Sequence, residues 1–235
     1  MIKKNIRKIQ NFPGEVVANL FVSKLKDGDY LIGDVPYQCQ FATPELANDI
    51  LEGRMSAKDD PNWKVLGFKT REESEYWAWR NCGICCVKMV IDFYGKNDSY
   101  SSLTEKGVAL GGYDIDKDLG WYYKPLLKLL KSFSVKGFIS PQTSVSRLAH
   151  LIHQKKFVIA SVNPSIIRLD KLEKTKEKSG HLVLVTGFSK KVGKISGFYI
   201  NNPSGKIVET QKQAFIPIDV FIRAYGGRGI VVSDN

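Results

Sequence analysis

The chain lacks any run of about 18 apolar residues, which excludes a membrane-spanning helix on hydropathy grounds. Its start, "MIKKNIRKIQNFPGE", is basic but has neither the apolar stretch nor the small-residue cleavage site of a secretory signal. Cysteine is scarce, four in 235 residues, too few for a disulfide scaffold in a chain of this length. These absences together predict a cytoplasmic protein whose cysteines stay reduced. Histidine is scarcer still: His150, His153 and His181 are the whole set. There are no internal repeats or low-complexity tracts, and no RNP or zinc-finger pattern, so no nucleic-acid partner is expected.

What is present is enough apolar material for a full core, 43% of residues, fitting one domain or a domain with an extension. The expected division is a β-rich extension over 1–32 and a main domain over 33–235. The net charge of +11 is unevenly placed: residues 1–110 carry 15 basic and 15 acidic groups, and residues 111–235 carry 20 and 9. Its lysines are scattered through helices and loops, as in "KPLLKLLKS" and "LDKLEKTKEKSG". That scatter reads as a solvated basic face, with steering of an acidic partner as the alternative.

Along the chain, 15–35 reads as two short strands about a Lys-Asp-Gly-Asp turn. "TPELANDILEG" reads as a short helix with Thr43 as cap, Pro44 in its first turn and Gly53 as its stop. Residues 54–75 read as a surface loop ending in a capping box, Thr70 with Glu73. Helices are then expected over 82–94, over 121–133, and over "SVSRLAHLIHQ" with Ser144 or Ser146 as cap. Strand-like segments follow in "KFVIASVN", "GHLVLVTGFS", "GKISGFYINNPSG" and "GKIVETQ", before a helix "PIDVFIRAY" and a last strand "GIVVS". Helices first and antiparallel strands second is an α+β arrangement rather than βαβ.

The sharpest feature is "RNCGICCVKMVIDFYG", with three cysteines in five positions. Cys82 and Cys85 make a C-x-x-C, but zinc needs a second ligand pair, and Cys39 stands alone. A thioredoxin-type motif would follow a buried strand, whereas "EESEYWAWRN" is helical. Cys85 and Cys86 sit among Val87, Met89, Val90 and Phe93, as small buried hydrophobes do. Cys82 differs, standing at a helix start beside Gly83. There the free N–H groups and dipole lower a thiol pKa, and the glycine lets another chain approach the sulfur. A nucleophilic thiol needs a base and a group to orient it. His181 opens the strand "HLVLVTGF", and Asn201 or Asn202 in "NNPSG" ends a neighbouring strand; the period of two puts only one of them on the face of His181.

These segments resemble a known family. "CGICCVKMVIDFYG" is similar to the Cys-Gly opening of papain-like cysteine peptidases of the bacteriocin-processing, double-glycine kind. "GHLVLVTGF" resembles that family's Gly-His strand and "FYINNPSG" its Tyr-x-Asn-Asp-Pro segment, in the same order, over about residues 33–205. The resemblance implies a papain-like α+β fold, its nucleophile helix in an N-terminal helical part packed on a C-terminal antiparallel sheet. It implies Cys82 as nucleophile, His181 as base and Asn202 as orienting group. "VPYQCQ" at 35–40 is similar to the family's Val-Pro-Tyr-x-x-Gln segment. That carries the oxyanion-hole glutamine onto Gln40, with Gln38 as competitor. Two departures stand out: residues 41–75 are inserted between Gln40 and Cys82, and Asn202 replaces the usual Asp.

The expectation is a cysteine peptidase acting on a peptide or protein through a thioester, without metal or cofactor. The alternatives are acyl or amide transfer from the same thioester, or a non-catalytic peptide-binding module. Trp77, Trp79, Trp121 and Tyr122 are candidates for a substrate groove or simply for the core. The segment 170–180 before His181 is either a basic lid or a solvated connector. His150 and His153 match no motif.

Overall fold

Seven strands, all paired antiparallel, form one sheet in a computed structural model that describes residues 14–167 and 179–233. Residues 14–24 are helical (α1), followed by β1 (Gly28–Leu31), α2 (Ala47–Leu51), α3 (Arg71–Ala78), α4 (Cys82–Phe93), α5 (Tyr100–Ala109) and α6 (Tyr123–Ser132). The second half runs β2 (Lys136–Ser140), α7 (Val145–His153), β3 (Phe157–Val162), β4 (His181–Lys191), β5 (Lys194–Asn201), β6 (Ala214–Pro217), α8 (Ile218–Ala224) and β7 (Tyr225–Ser233). Strand order is β2-β7-β3-β4-β5-β6. The expected α+β class holds: α4 packs on β4 over one continuous core. Among the described residues no helix is long and apolar enough to cross a membrane.

Strand β4 organises this sheet. Ten of its eleven residues are buried, because β5 occupies one edge while β3 and β1 share the other. β3 covers its first half, with Val162 opposite His181, and β1 covers its second, with Gly28 opposite Lys190. A strand buried this thoroughly reads as a continuous apolar run, which "LVLV" is.

The N-terminal hairpin is corrected. Residues 14–24 are a helix, and β1 pairs with β4 rather than with a preceding strand. "EVVANLFVSKL" also carries apolar residues at helical spacing, Ala18 and Val22 being its buried ones. Lys190, almost wholly buried, ends α1 by donating to the carbonyls of Ser23 (3.3 Å) and Leu25 (2.5 Å), as cations do at helix C-termini. That junction is nine residues along β4 from His181, roughly 30 Å at strand rise. The end of α1 therefore anchors against the far end of the sheet.

Several other local readings change. Residues 54–75 contain two 3-10 turns, Ala57–Asp59 and Trp63–Leu66, and the insertion has its own small core of Cys39, Phe41, Ala47, Ile50, Ala57 and Ala78. "GKIVETQ" is no strand: Val208–Thr210 is a 3-10 turn, and the sheet resumes at β6. "KGFIS" forms β2, an edge strand paired with β7 that was not among the expected strands. The expected Thr43 cap does not form, because its Oγ1 donates to Asp60 Oδ1 at 2.7 Å instead; two other expected caps do form. Ser144 Oγ accepts from Arg147 N at 3.1 Å and Thr70 Oγ1 from Glu73 N at 3.1 Å. The Glu73 carboxylate, however, reaches back to Lys69 N (3.0 Å) instead of the cap residue's own N–H.

A cysteine–histidine cleft

Helix α4 begins at Cys82 and is apolar nearly all round, so its body is buried and its first residue comes out at the sheet's rim. Cys85 and Cys86 are completely buried in the core, as their apolar neighbours predict, while Cys82 is half-buried. Gly83 has a role different from the expected one. A Cβ there would lie 2.9 Å from Trp121 Cγ and 3.1 Å from Leu126 Cδ1. The glycine thus admits a side chain from within the core. Gly107 does the same on another face of that indole, where a Cβ would meet Cζ3 at 2.7 Å. Trp121 is fixed in this slot by its Nε1, which donates to Arg80 O at 2.9 Å.

His181 is 7% exposed at the first position of β4. Antiparallel pairing sets Leu184 opposite Asn201, so the chain beyond Asn201 runs back alongside the start of β4. Asn202 thereby reaches His181, with Nε2 and Oδ1 2.8 Å apart. Of the two candidate asparagines, Asn201 is engaged elsewhere: its Oδ1 accepts from Gln213 N at 2.8 Å. With Nε2 donating to the amide oxygen, Nδ1 is left as the ring's acceptor. Ser204, to which no role was assigned from sequence, adds a hydroxyl 3.2 Å from the same Nε2, and its N–H donates to Asn202 Oδ1 at 3.2 Å.

The "VPYQCQ" segment is fastened to "NNPS" across more than 160 residues of sequence. Tyr37 OH donates to Asn202 O (2.8 Å), Cys39 Sγ to Pro203 O (3.3 Å), and Gln40 N to the same Pro203 carbonyl (2.9 Å). These bonds place Gln40 directly, so the insertion after it does not displace it. Gln40 lines a cleft with Cys82, His181 and Ser204, and Leu51 of that insertion lines the same cleft. Gln38 does not line it; its Nε2 turns to Cys39 O at 2.8 Å.

Two connected clefts meet at Cys82 and His181. One, of about 340 Å³, runs past Tyr122, Tyr123, Ser161 and Arg228; the other passes Gln40, Leu51 and Trp79. The first volume lies at the low end of the roughly 300–1,000 Å³ usual for ligand sites. The groove aromatics divide accordingly: Trp79 and Tyr122 are exposed on the clefts, whereas Trp77 and Trp121 are core residues, with Trp121 also showing an edge to the first cleft.

Burial dominates the electrostatics. It drives the His181 pKa down to about 4, against the hydrogen bond to Asn202, which favours the cation. It pushes the Cys82 thiol up to about 11, although the N–H groups of Leu182, Gly83 and Cys82 itself favour thiolate. The lowered thiol pKa expected at a helix start is therefore corrected. The dipole and N–H groups are there, but the protein packed around the sulfur outweighs them. At neutral pH both groups are uncharged.

The remaining histidines lie elsewhere: His150 stacks on Phe21 at 4.4 Å between ring centroids, and His153 packs edge-on to the same ring. Among the described residues no group of three or more His, Cys, Asp or Glu is arranged to hold a metal. The proposed lid at 170–180 falls mostly outside the described residues.

Helices packed on an antiparallel sheet, with a thiol and an imidazole opening on shared clefts, define an α+β protein with a cysteine–histidine site. The chain belongs to the Peptidase_C39-like family, whose model matches residues 33–229. Similar solved structures include a Bacillus anthracis protein described as a C39-like peptidase, 16% identical, with a TM-score of 0.48 over 66% of this chain and 90% of that one. A second is the peptidase domain of Streptococcus ComA, a bifunctional ABC transporter of a quorum-sensing pathway, at 15% identity and TM-score 0.46 over 66% and 93%. A third is a double-glycine-motif protease from an AMS/PCAT transporter in complex with its leader peptide, at 16% and 0.44 over 67% and 86%. No curated protein matches the chain significantly.

Proposed function

We propose that the protein is a cysteine peptidase in which Cys82 is the nucleophile, His181 the base and acid, Asn202 the orienting group and Gln40 an oxyanion donor. The observation that carries this reading is the shared cleft of Cys82, His181 and Gln40, with His181 Nε2 held by Asn202 at 2.8 Å. Membership of the family is the second support.

The neutral resting pair sets the course of the reaction. Cys82 Sγ attacks the peptide carbonyl carbon as its proton passes to His181 Nδ1, so charge develops only with bond formation. The carbonyl electrons move to oxygen, where the Gln40 carboxamide and the Cys82 N–H donate; the first N–H groups of a helix have no partner within it. Among the described residues no hydrogen bond takes up the Gln40 carboxamide. Collapse breaks the C–N bond, and His181 returns the proton to the leaving amine, giving a thioester. Water then loses a proton to His181 as its oxygen adds to the acyl carbon. The C–S bond breaks, and His181 reprotonates the sulfur.

The test is labelling with an electrophilic thiol probe together with product analysis on a mixed peptide library. Wild type is expected to label at Cys82 and to release free carboxylate termini, and Cys82→Ala and His181→Ala to do neither. Labelling at Cys39 or Cys85 with Cys82 inert would overturn the assignment. Amide products formed from added amine in place of acids would indicate acyl transfer from the same thioester.

A further inference from the structure

The cleft on the Tyr123 side contains a cation that the mechanism above leaves unused. Strand β7 pairs Gly229 with Ala160 and Tyr225 with Val162. One residue of β3, Ser161, thus faces three residues of β7, from Gly226 to Arg228. Bulges of this kind re-aim a side chain beside a site, and here the side chain is Arg228, exposed and lining the cleft with Cys82 and His181. The bulge is pinned: Gly227 takes φ +67°, and its carbonyl accepts from Thr143 N at 2.7 Å. Gly229 next to it allows no side chain, since a Cβ would lie 2.3 Å from Ile159 O. Arg228 is thus presented from fixed backbone between two glycines.

Its surroundings select for an anion. The Tyr123 phenol, partly buried, lies beside both Arg228 and Ser161 and near Cys82. Among the described residues no carboxylate pairs with Arg228, and no other fully charged side chain lines this cleft. The opposite cleft differs. Its cation, Arg80, is already neutralised by Asp118 at 2.8 Å, and Trp79 and Leu51 make its surface apolar. Two clefts meeting at one thiol, one with an unpaired guanidinium and one without, distinguish the two sides of a bound peptide. Guanidinium and phenol together make a donor set for carboxylate oxygens.

We propose that Arg228, supported by Tyr123 and Ser161, is a specificity residue that binds a peptide carboxylate on the side of the scissile bond away from Gln40. The carboxylate is that of an Asp or Glu side chain or of a chain terminus. The proposal deepens the peptidase reading and rests on it for the direction of the peptide, but binding tests it without catalysis. The probes are hexapeptide libraries that differ only in carrying Glu or Gln at one fixed position, each as free acid and as C-terminal amide. Their affinity for Cys82→Ala is measured by calorimetry, and their cleavage by wild type is followed in parallel.

Binding is expected to favour Glu over Gln, or free acid over amide, by tenfold or more at one position. The preference should vanish in Cys82→Ala/Arg228→Ala and invert in Cys82→Ala/Arg228→Glu. Which pair of libraries separates tells a side-chain carboxylate from a terminal one. Arg223→Ala, on α8 beside Asp219, controls for general attraction by a basic protein and should keep the preference. Equal affinities for all libraries, or a preference that survives Arg228→Ala, overturn the proposal whether or not cleavage occurs. Discrimination in binding without any cleavage would overturn the peptidase reading alone.

Discussion

The buried imidazole of His181 should couple the stability of the whole fold to pH, and the effect can be worked out from its environment. In the unfolded chain the group titrates at about 6.5; in the fold, desolvation moves it to about 4. Between those values the unfolded state holds a proton that the folded state does not. Stability therefore rises with pH through this window and falls on acidification. At pH 5 the unfolded imidazole is almost fully protonated and the folded one almost wholly neutral. The linkage amounts to about 2 kcal/mol relative to pH 8 and approaches about 3 kcal/mol at lower pH.

Other groups titrate in the same range, so the measurement must isolate this one. His181→Gln keeps a donor for Asn202 Oδ1 and removes the titration. Urea unfolding of both proteins at half-unit steps from pH 4 to 8 gives the difference in stability as a function of pH. That difference should change by about 2 kcal/mol between pH 8 and 5, wild type losing more. Parallel curves would refute the argument, because they would mean that the imidazole is as free to protonate in the fold as in the unfolded chain. The same pKa predicts that kcat/KM stays level through neutral pH and declines only as the pH approaches 4.

Asn202→Ala should lower kcat/KM about 100-fold while leaving Cys82 open to alkylation, since the imidazole loses its orientation but the thiol keeps its place; an unchanged rate would remove Asn202 from the mechanism. Gln40→Ala should cost about 100- to 1,000-fold in kcat, and Gln38→Ala little, as measured on one peptide substrate. Equal losses would point to a shared structural cause. Gly83→Ala should destabilise the protein by about 1–3 kcal/mol in urea unfolding, because Trp121 and Leu126 must give way to the added methyl. A neutral substitution there would show that the indole slot can relax.

The sequence by itself determined the helices-then-strands plan of residues 70–233, apart from β2 and "GKIVETQ", and the separation of the three clustered thiols. Continuous apolar character marks α4 and β4, and strong patterns of this kind survive any tertiary context. "CGICC" at a helix start, "GH" at a strand start and "NNPSG" after a strand carry the candidate residues through local rules and a family resemblance. The first of the two expected strands failed because β-branched and aromatic residues in "EVVANLFVSKL" mask helical spacing. Only the packing of α1 on His150, His153 and Lys190 decides between helix and strand; the second strand is present as β1. "GKIVETQ" failed similarly, its β propensity overridden by a turn beside the site.

Tertiary structure alone decided the rest. Whether Asn201 or Asn202 meets the imidazole follows from the β4–β5 register. Gln40 is placed by bonds to Pro203, 163 positions away, which no spacing rule encodes. The ionisation of Cys82 went the other way from the local rule, because a helix terminus acts over one turn whereas desolvation sums everything packed around the sulfur. Arg228 enters the cleft through a bulge that exists only as a mismatch between two paired strands. Short-range chemistry is written along the chain; which groups meet, and in how dry a place, belongs to the fold.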